Sequence, residues 1–121
     1  MTNVRIVTDS ASDLTIAQSE AAGIGVVPLN IRFGDEEFVD REQLDPDTFY
    51  ARMASFAGLP ETSAPSPGRF EQEFRAMAGE GATAVVCINL SFELSATGQS
   101  AKAAADAMAD ELDVRVVDSR S

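Results

Sequence analysis

The sequence has no histidine and no tryptophan, and only one tyrosine and one cysteine among 121 residues. Each scarcity removes a class of function. Without histidine the chain supplies no Ser-His-Asp triad, no Cys-His pair and no His-containing metal site. A lone cysteine, Cys87, forms no internal disulfide, so a reducing, cytoplasmic setting is expected. Cys87 also lies inside the apolar run AVVCINL, where a small buried hydrophobe outweighs a nucleophile. The one lysine, Lys102, falls on a helix face beside acidic residues. Positive charge is scarce overall: 9 Lys and Arg stand against 20 Asp and Glu, for a net charge of −11. Nucleic acid and anionic membrane surfaces are expected to repel such a chain. No apolar run approaches the roughly 20 residues of a membrane span, so stable membrane insertion is not expected. Any chemistry done on a molecule bound here must draw its reactive groups from elsewhere. The first expectation is therefore a non-enzymatic binding protein.

What is present reads as one small globular domain, 45% apolar and 24% charged. VRIVT (4–8) is a β-branched strand, and 13–23 is a helix stopped by Gly23. IGVVPLNIRF (24–33) reads as one extended run, with Pro28 implying an edge or a strand end. The Gly34-Asp35 turn then leads into 36–40, which predicts a hairpin. Asp45 and Pro46 are an N-cap and N1 pair for a helix with the stripe Phe49, Met53 and Phe56. A further helix, 69–78, carries Phe70, Phe74, Met77 and Ala78 on one face. TAVVCINL (83–90) is a buried strand. Helix 95–111 has the narrow stripe Thr97, Ala101, Ala104, Ala105 and Met108, and VRVV (114–117) is the last strand. Alternation of apolar strands with helices predicts a three-layer α/β/α domain with a mostly parallel sheet covered on both faces.

Three segments are rich in hydroxyls: TDSAS (8–12), ETSAPS (61–66) and LSFELSATGQS (90–100). Any one of them reads as helix capping, with Ser63 or Ser66 serving the helix after 66. Three on one expected sheet rim form a candidate anion cradle of hydroxyls and free helix amides. A weak internal echo joins them, because RIVTDSAS (5–12) and RVVDSRS (115–121) both run a strand into Asp-Ser-x-Ser. SATGQS (95–100) also fits a flavodoxin phosphate loop, but it follows a late strand and aromatic stacking partners for a flavin are few.

Together the segments IVTDSASDL, VVPLNIRFGDEEFVD, ETSAPSP, INLSFELSATGQSA and RVVDSRS resemble, in order and spacing, the DegV family. The resemblance runs the length of the chain. It implies a bacterial fatty-acid-binding carrier that presents the acyl carboxylate to a partner fatty acid kinase, which makes an acyl phosphate. It implies no cofactor beyond the long-chain fatty acid itself. The family has two domains with the acyl chain in a tunnel between them, so this chain is expected to be the N-terminal domain, 1–121, without its C-terminal partner. An exposed half-tunnel would favour self-association. Carried over by motif, Thr62 and Ser95 hold the carboxylate, with Asp9, Ser10, Ser63, Ala96 and Thr97 as rim contacts. Two departures stand out: Ala64 replaces a glutamine, and Ala96-Thr97-Gly98 replaces Gly-Thr-Tyr. Ala96 would be strained if its backbone needed glycine's positive φ. A phosphoryl-transfer subunit like dihydroxyacetone kinase, whose fold looks related, is the enzyme-class alternative. That kinase holds its substrate through a histidine, which this chain lacks.

Overall fold

The computed structural model describes residues 3–12, 14–40, 46–55, 58 and 61–121. Asp45 and Phe56, expected above as a cap and a stripe residue, lie outside the described residues. The elements in chain order are β1 (Val4–Asp9), a 3-10 turn (Ser10–Ser12), α1 (Ile16–Ala22), β2 (Gly25–Val27), β3 (Asn30–Phe33) and β4 (Glu36–Val39). They continue with α2 (Pro46–Ser55), β5 (Glu61–Ser63), α3 (Pro67–Gly79), β6 (Ala84–Asn89), α4 (Thr97–Ala107) and β7 (Asp113–Asp118).

Four strands form a parallel sheet in the order β2-β1-β6-β7. The central pair is set by Val7 opposite Cys87 and Thr8 opposite Ile88. Residues of one parity, Val7, Val27, Val85 and Cys87, face the core, where Phe70, Phe74 and Met77 of α3 meet Ala101, Ala104 and Met108. The small buried side chains of α4 let it approach the sheet closely. β1 leads to β2 on one side while β6 leads to β7 on the other. Right-handed crossovers then put α1 on the face opposite α3 and α4. The result is a mixed α/β fold in three layers, and the layers are unequal. α1 has 7 residues, of which only Ser19 is buried. It leaves Val4, Ile6 and Val117 of the opposite parity exposed. Full cover on both faces, expected from apolar strands, is thus met on the α3–α4 face alone.

The run 24–33 is divided between two sheets. Pro28 has no N–H for a ladder. Leu29 turns away, its N–H donating to Ser10 Oγ (3.0 Å) and its carbonyl accepting from Asp40 N (2.9 Å). β3 then pairs antiparallel with β4 through the expected Gly34 turn, and also with β5. Ile31 and Phe33 anchor this second sheet against Phe38 and Phe49. Met53 of the expected α2 stripe is 38% exposed. Ala78 is exposed too, since eight residues place it about 80° around α3 from Phe70. α1 starts at Ile16 because Thr15 and Gln18 form a reciprocal capping box, and Gly23 ends it at φ 68. Among the described residues no helix is long and apolar enough to cross a membrane.

Where α3 crosses β2, Gly25 makes room for Glu73 and Met77; a Cβ there would stand 2.4 Å from Glu73 Oε1 and 2.6 Å from Met77 Cε. Burial pushes the Glu73 carboxyl above its ordinary 4.5, with Arg69 opposing, Glu80 adding and Arg5 opposing. An acid whose pKa rises on folding contributes stability below its unfolded value, and that contribution is lost as pH climbs through the folded value. Glu73→Gln is therefore expected to melt slightly higher than the natural chain at neutral pH. It should also remove part of the fall in stability that begins near the unfolded value of 4.5. Thermal melts across the acidic to neutral range check this; parallel curves for the two proteins would contradict it.

Candidate functional site

Adjacent strands β1 and β6 send the chain to opposite faces of the sheet, and a crevice opens outside their carboxyl ends, the usual ligand position in open α/β sheets. Asp9 ends β1, Asn89 ends β6 and Asp118 ends β7. Asp9 and Asn89 are each only 1% exposed. Asp9 Oδ2 accepts from Asn89 Nδ2 (3.1 Å) and from Leu90 N (3.0 Å), while Oδ1 accepts from Ala11 N (3.0 Å). Asp118 Oδ1 accepts from Phe92 N (3.3 Å) and Arg120 N (2.8 Å). A cleft of about 330 Å³ opens above them, lined by Thr8, Asp9, Ser12, Asn89 and Ser119 among others. Cys87 lies beneath, its thiol donating to Asn89 Oδ1 (3.3 Å). Burial, reinforced by the Asp9 charge and opposed by the Asn89 bond, pushes its pKa up to about 12. Such a thiol is a core residue, as the apolar run predicted.

The segment after β6 winds tightly. Ser91 accepts at its carbonyl from Leu94 N (3.0 Å) and Ser95 N (3.2 Å), and at Oγ from Glu93 N (3.3 Å). Ser95 Oγ accepts from Thr97 N (3.2 Å) and shares a hydrogen with Thr97 Oγ1 at 2.8 Å. Ser95 thereby caps the start of α4 from one position before Ala96. Ala96 itself sits at φ −77, ψ 1, so the strain expected from replacing glycine is absent. Close approach is needed two residues on. The Phe92 ring lies over Gly98, where a Cβ would come within 2.1 Å of it. Lys102 Nζ stands 5.2 Å from the same ring, close enough for a cation–π contact.

ETSAPS begins as β5, a strand of the antiparallel sheet, and so is not carried on the rim of the parallel one. Thr62 and Ser63 are exposed and, with Arg32, Glu37 and Glu61, line a cleft of about 140 Å³. Ser66 is the N-cap of α3, accepting from Arg69 N with Pro67 at the first helical position. Ala64 to Ser66 line a separate cleft of about 300 Å³ with Pro28, Asn30 and Arg69. The site residues named from sequence thus fall into three groups: Asp9 with Ser10 at the β1 turn, Ser95 with Ala96 and Thr97 at α4, and Thr62 with Ser63 on β5. None of these three clefts holds members of two groups. Asn89, Asp118 and Phe92 were missed. A polar residue closing an apolar strand was a readable sign of Asn89, and the Asp-Ser echo was one for Asp118. Phe92 gave no signal. Among the described residues no group of three Cys, Asp or Glu side chains is placed to hold a metal ion.

Residues 3–121 match the model of a family described as uncharacterised proteins of the DegV family. A DegV domain-containing protein of Halalkalibacterium halodurans is 39% identical over 101 residues, 84% of this chain and 36% of that protein. A solved structure described as fatty acid binding by a DegV family protein of Thermus thermophilus superposes with a TM-score of 0.80 at 35% identity. It covers 97% of this chain and 41% of the other. A stearic acid-binding protein of Eubacterium ventriosum gives 0.85 at 31% identity, covering 98% and 41%. The chain thus spans well under half the length of these relatives.

Gly98→Ala is expected to cost about 1–3 kcal/mol, the usual penalty of forcing a methyl into occupied space. Phe92→Ala should recover most of that penalty in the double variant, because the ring is the obstacle. Denaturant melts of the four proteins test the cycle. Strictly additive effects would show that the ring does not set the need for glycine.

Proposed function

The chain belongs to the DegV family, and on that premise we propose that it binds a long-chain fatty acid non-covalently and presents the carboxylate to a fatty acid kinase. The observation that carries the reading is the shared fold with relatives described as fatty-acid-binding proteins, at 31–35% identity. Thr62 and Ser95 are the proposed head-group ligands. Thr62 offers an exposed hydroxyl on β5, and Ser95 offers a half-buried one just before α4.

The energetics favour a lipid over a small acid. Desolvating a carboxylate costs several kcal/mol, and each hydrogen bond to it returns about 1.5–3 kcal/mol. Two or three hydroxyl bonds roughly balance that cost. Burying a sixteen-carbon tail at about 0.8 kcal/mol per CH₂ is worth on the order of 10 kcal/mol before the losses of association. The tail supplies affinity and the hydroxyls supply orientation. No histidine is required of this chain, because the phosphoryl-transfer chemistry belongs to the partner.

Ser95→Ala and Thr62→Val are accordingly expected to lower acyl-phosphate formation by a partner kinase at least about tenfold, while palmitate affinity changes less than about tenfold. Matched turnover assays and calorimetric titrations measure both quantities. Unaltered turnover in either variant would remove that residue from the head-group site. A two-domain protein carrying this chain that binds no palmitate would overturn the reading as a whole.

A further inference from the structure

We propose that Asp9 and Asp118 act together as positioning residues that clamp the Ser95 segment; the role assigned to them rests on the head-group reading above. The two aspartates end the strands that flank β6, and both turn their carboxylates toward the segment leaving it. Asp9 takes the N–H of Leu90 and Asp118 takes the N–H of Phe92, one on each side of Ser91. Each aspartate also closes its own turn by accepting from the N–H two residues on, Ala11 and Arg120. The Asp-Ser echo in the sequence is therefore one device used twice.

From the clamp, rigidity passes to Ser95 in one step. Ser91 sits between the two clamped residues, and its carbonyl accepts the N–H of Ser95. Ser95 Oγ then accepts the N–H of Thr97 and opens α4. Ser91 is also held directly, its N–H donating to the Ser121 carbonyl (2.9 Å), so losing either carboxylate loosens this chain of bonds and widens the range of the Ser95 hydroxyl. An asparagine at either position could still accept through its amide oxygen where Asp9 Oδ2 or Asp118 Oδ1 now stands, whereas alanine removes the acceptor outright.

The sign of the electrostatics separates positioning from simple charge. Removing a negative charge near an anionic head group would by itself strengthen the head group's interaction. Positioning predicts a weakened one. The test uses Asp9→Ala, and also Asp118→Ala, whose half-buried carboxylate tolerates change if the first variant fails to fold. In the ligand-free chain, hydrogen exchange at the Ser95 and Thr97 amides should speed up on the order of ten- to a hundredfold, with Phe74 in α3 unaffected. With palmitate labelled at its carboxyl carbon, the head-group resonance in both variants should shift to the position it takes in Ser95→Ala.

Unchanged exchange at Ser95 and Thr97 overturns the clamp whatever the ligand does. A head-group resonance that stays natural in both variants while Ser95→Ala moves it overturns the positioning role. If Ser95→Ala leaves the resonance unmoved, the head-group reading falls and takes this role with it. The exchange data then still report separately on the clamp.

Discussion

The carboxyl edge of this domain depends on the pairing of β1 with β6. Their register puts Val7 opposite Cys87 and so brings Asp9 level with the Asn89–Leu90 corner. A slip of one residue would turn Asp9 to the other face and Val7 out of the core, since side chains alternate with period two. A buried carboxylate without partners would be prohibitively costly. Here three donors meet it, two backbone amides and one side-chain amide. Core packing and carboxylate satisfaction thus require the same register. The opposite exits of β1 and β6 then open the crevice at that same place.

How much of this the sequence disclosed follows from what is local. The amphipathic face of α3, the buried run of β6, the Gly34 hairpin and the Gly23 stop all depend on neighbours a few residues away, and each is present. Partner choice between strands is not local. Nothing in IGVVPLNIRF marks where one sheet ends and another begins, apart from Pro28. The division is made by Leu29, whose partners Ser10 and Asp40 lie far off in sequence. β5 was hidden for the same reason, since ETSAPS reads as helix capping until Asn30, Ile31 and Arg32 pair with its first three residues. At the site, hydroxyl residue types were legible but their duties were not. Ser66 caps α3 and Ser10 serves Leu29, so part of the apparent surplus belongs to the fold. The concern over Ala96 was misplaced by two residues, because the crowding falls at Gly98 through the ring of Phe92.

An acidic chain is an unlikely holder of an acid unless its charges are turned elsewhere. Asp9 accepts at both oxygens from backbone and side-chain amides, and Asp118 accepts two backbone amides at Oδ1. Arg32 pairs with Glu61 and Arg52 with Glu36 on the exposed sheet, so nearby cations there are matched by carboxylates. The proposed head-group ligands, Thr62 and Ser95, are neutral hydroxyls.

Neutral donors suit a carrier better than a cationic clamp would. A guanidinium in a bidentate bond holds a carboxylate strongly and ties up both its oxygens. A carboxylate that must later accept a phosphoryl group needs one oxygen accessible, with its direction fixed. Hydroxyls on short side chains give that direction at little net affinity, and the acyl chain supplies the affinity through burial. On the proposed reading the rigidity comes from beneath the hydroxyls, where the carboxylates at the ends of β1 and β7 accept the backbone N–H groups on either side of Ser91, whose carbonyl holds Ser95.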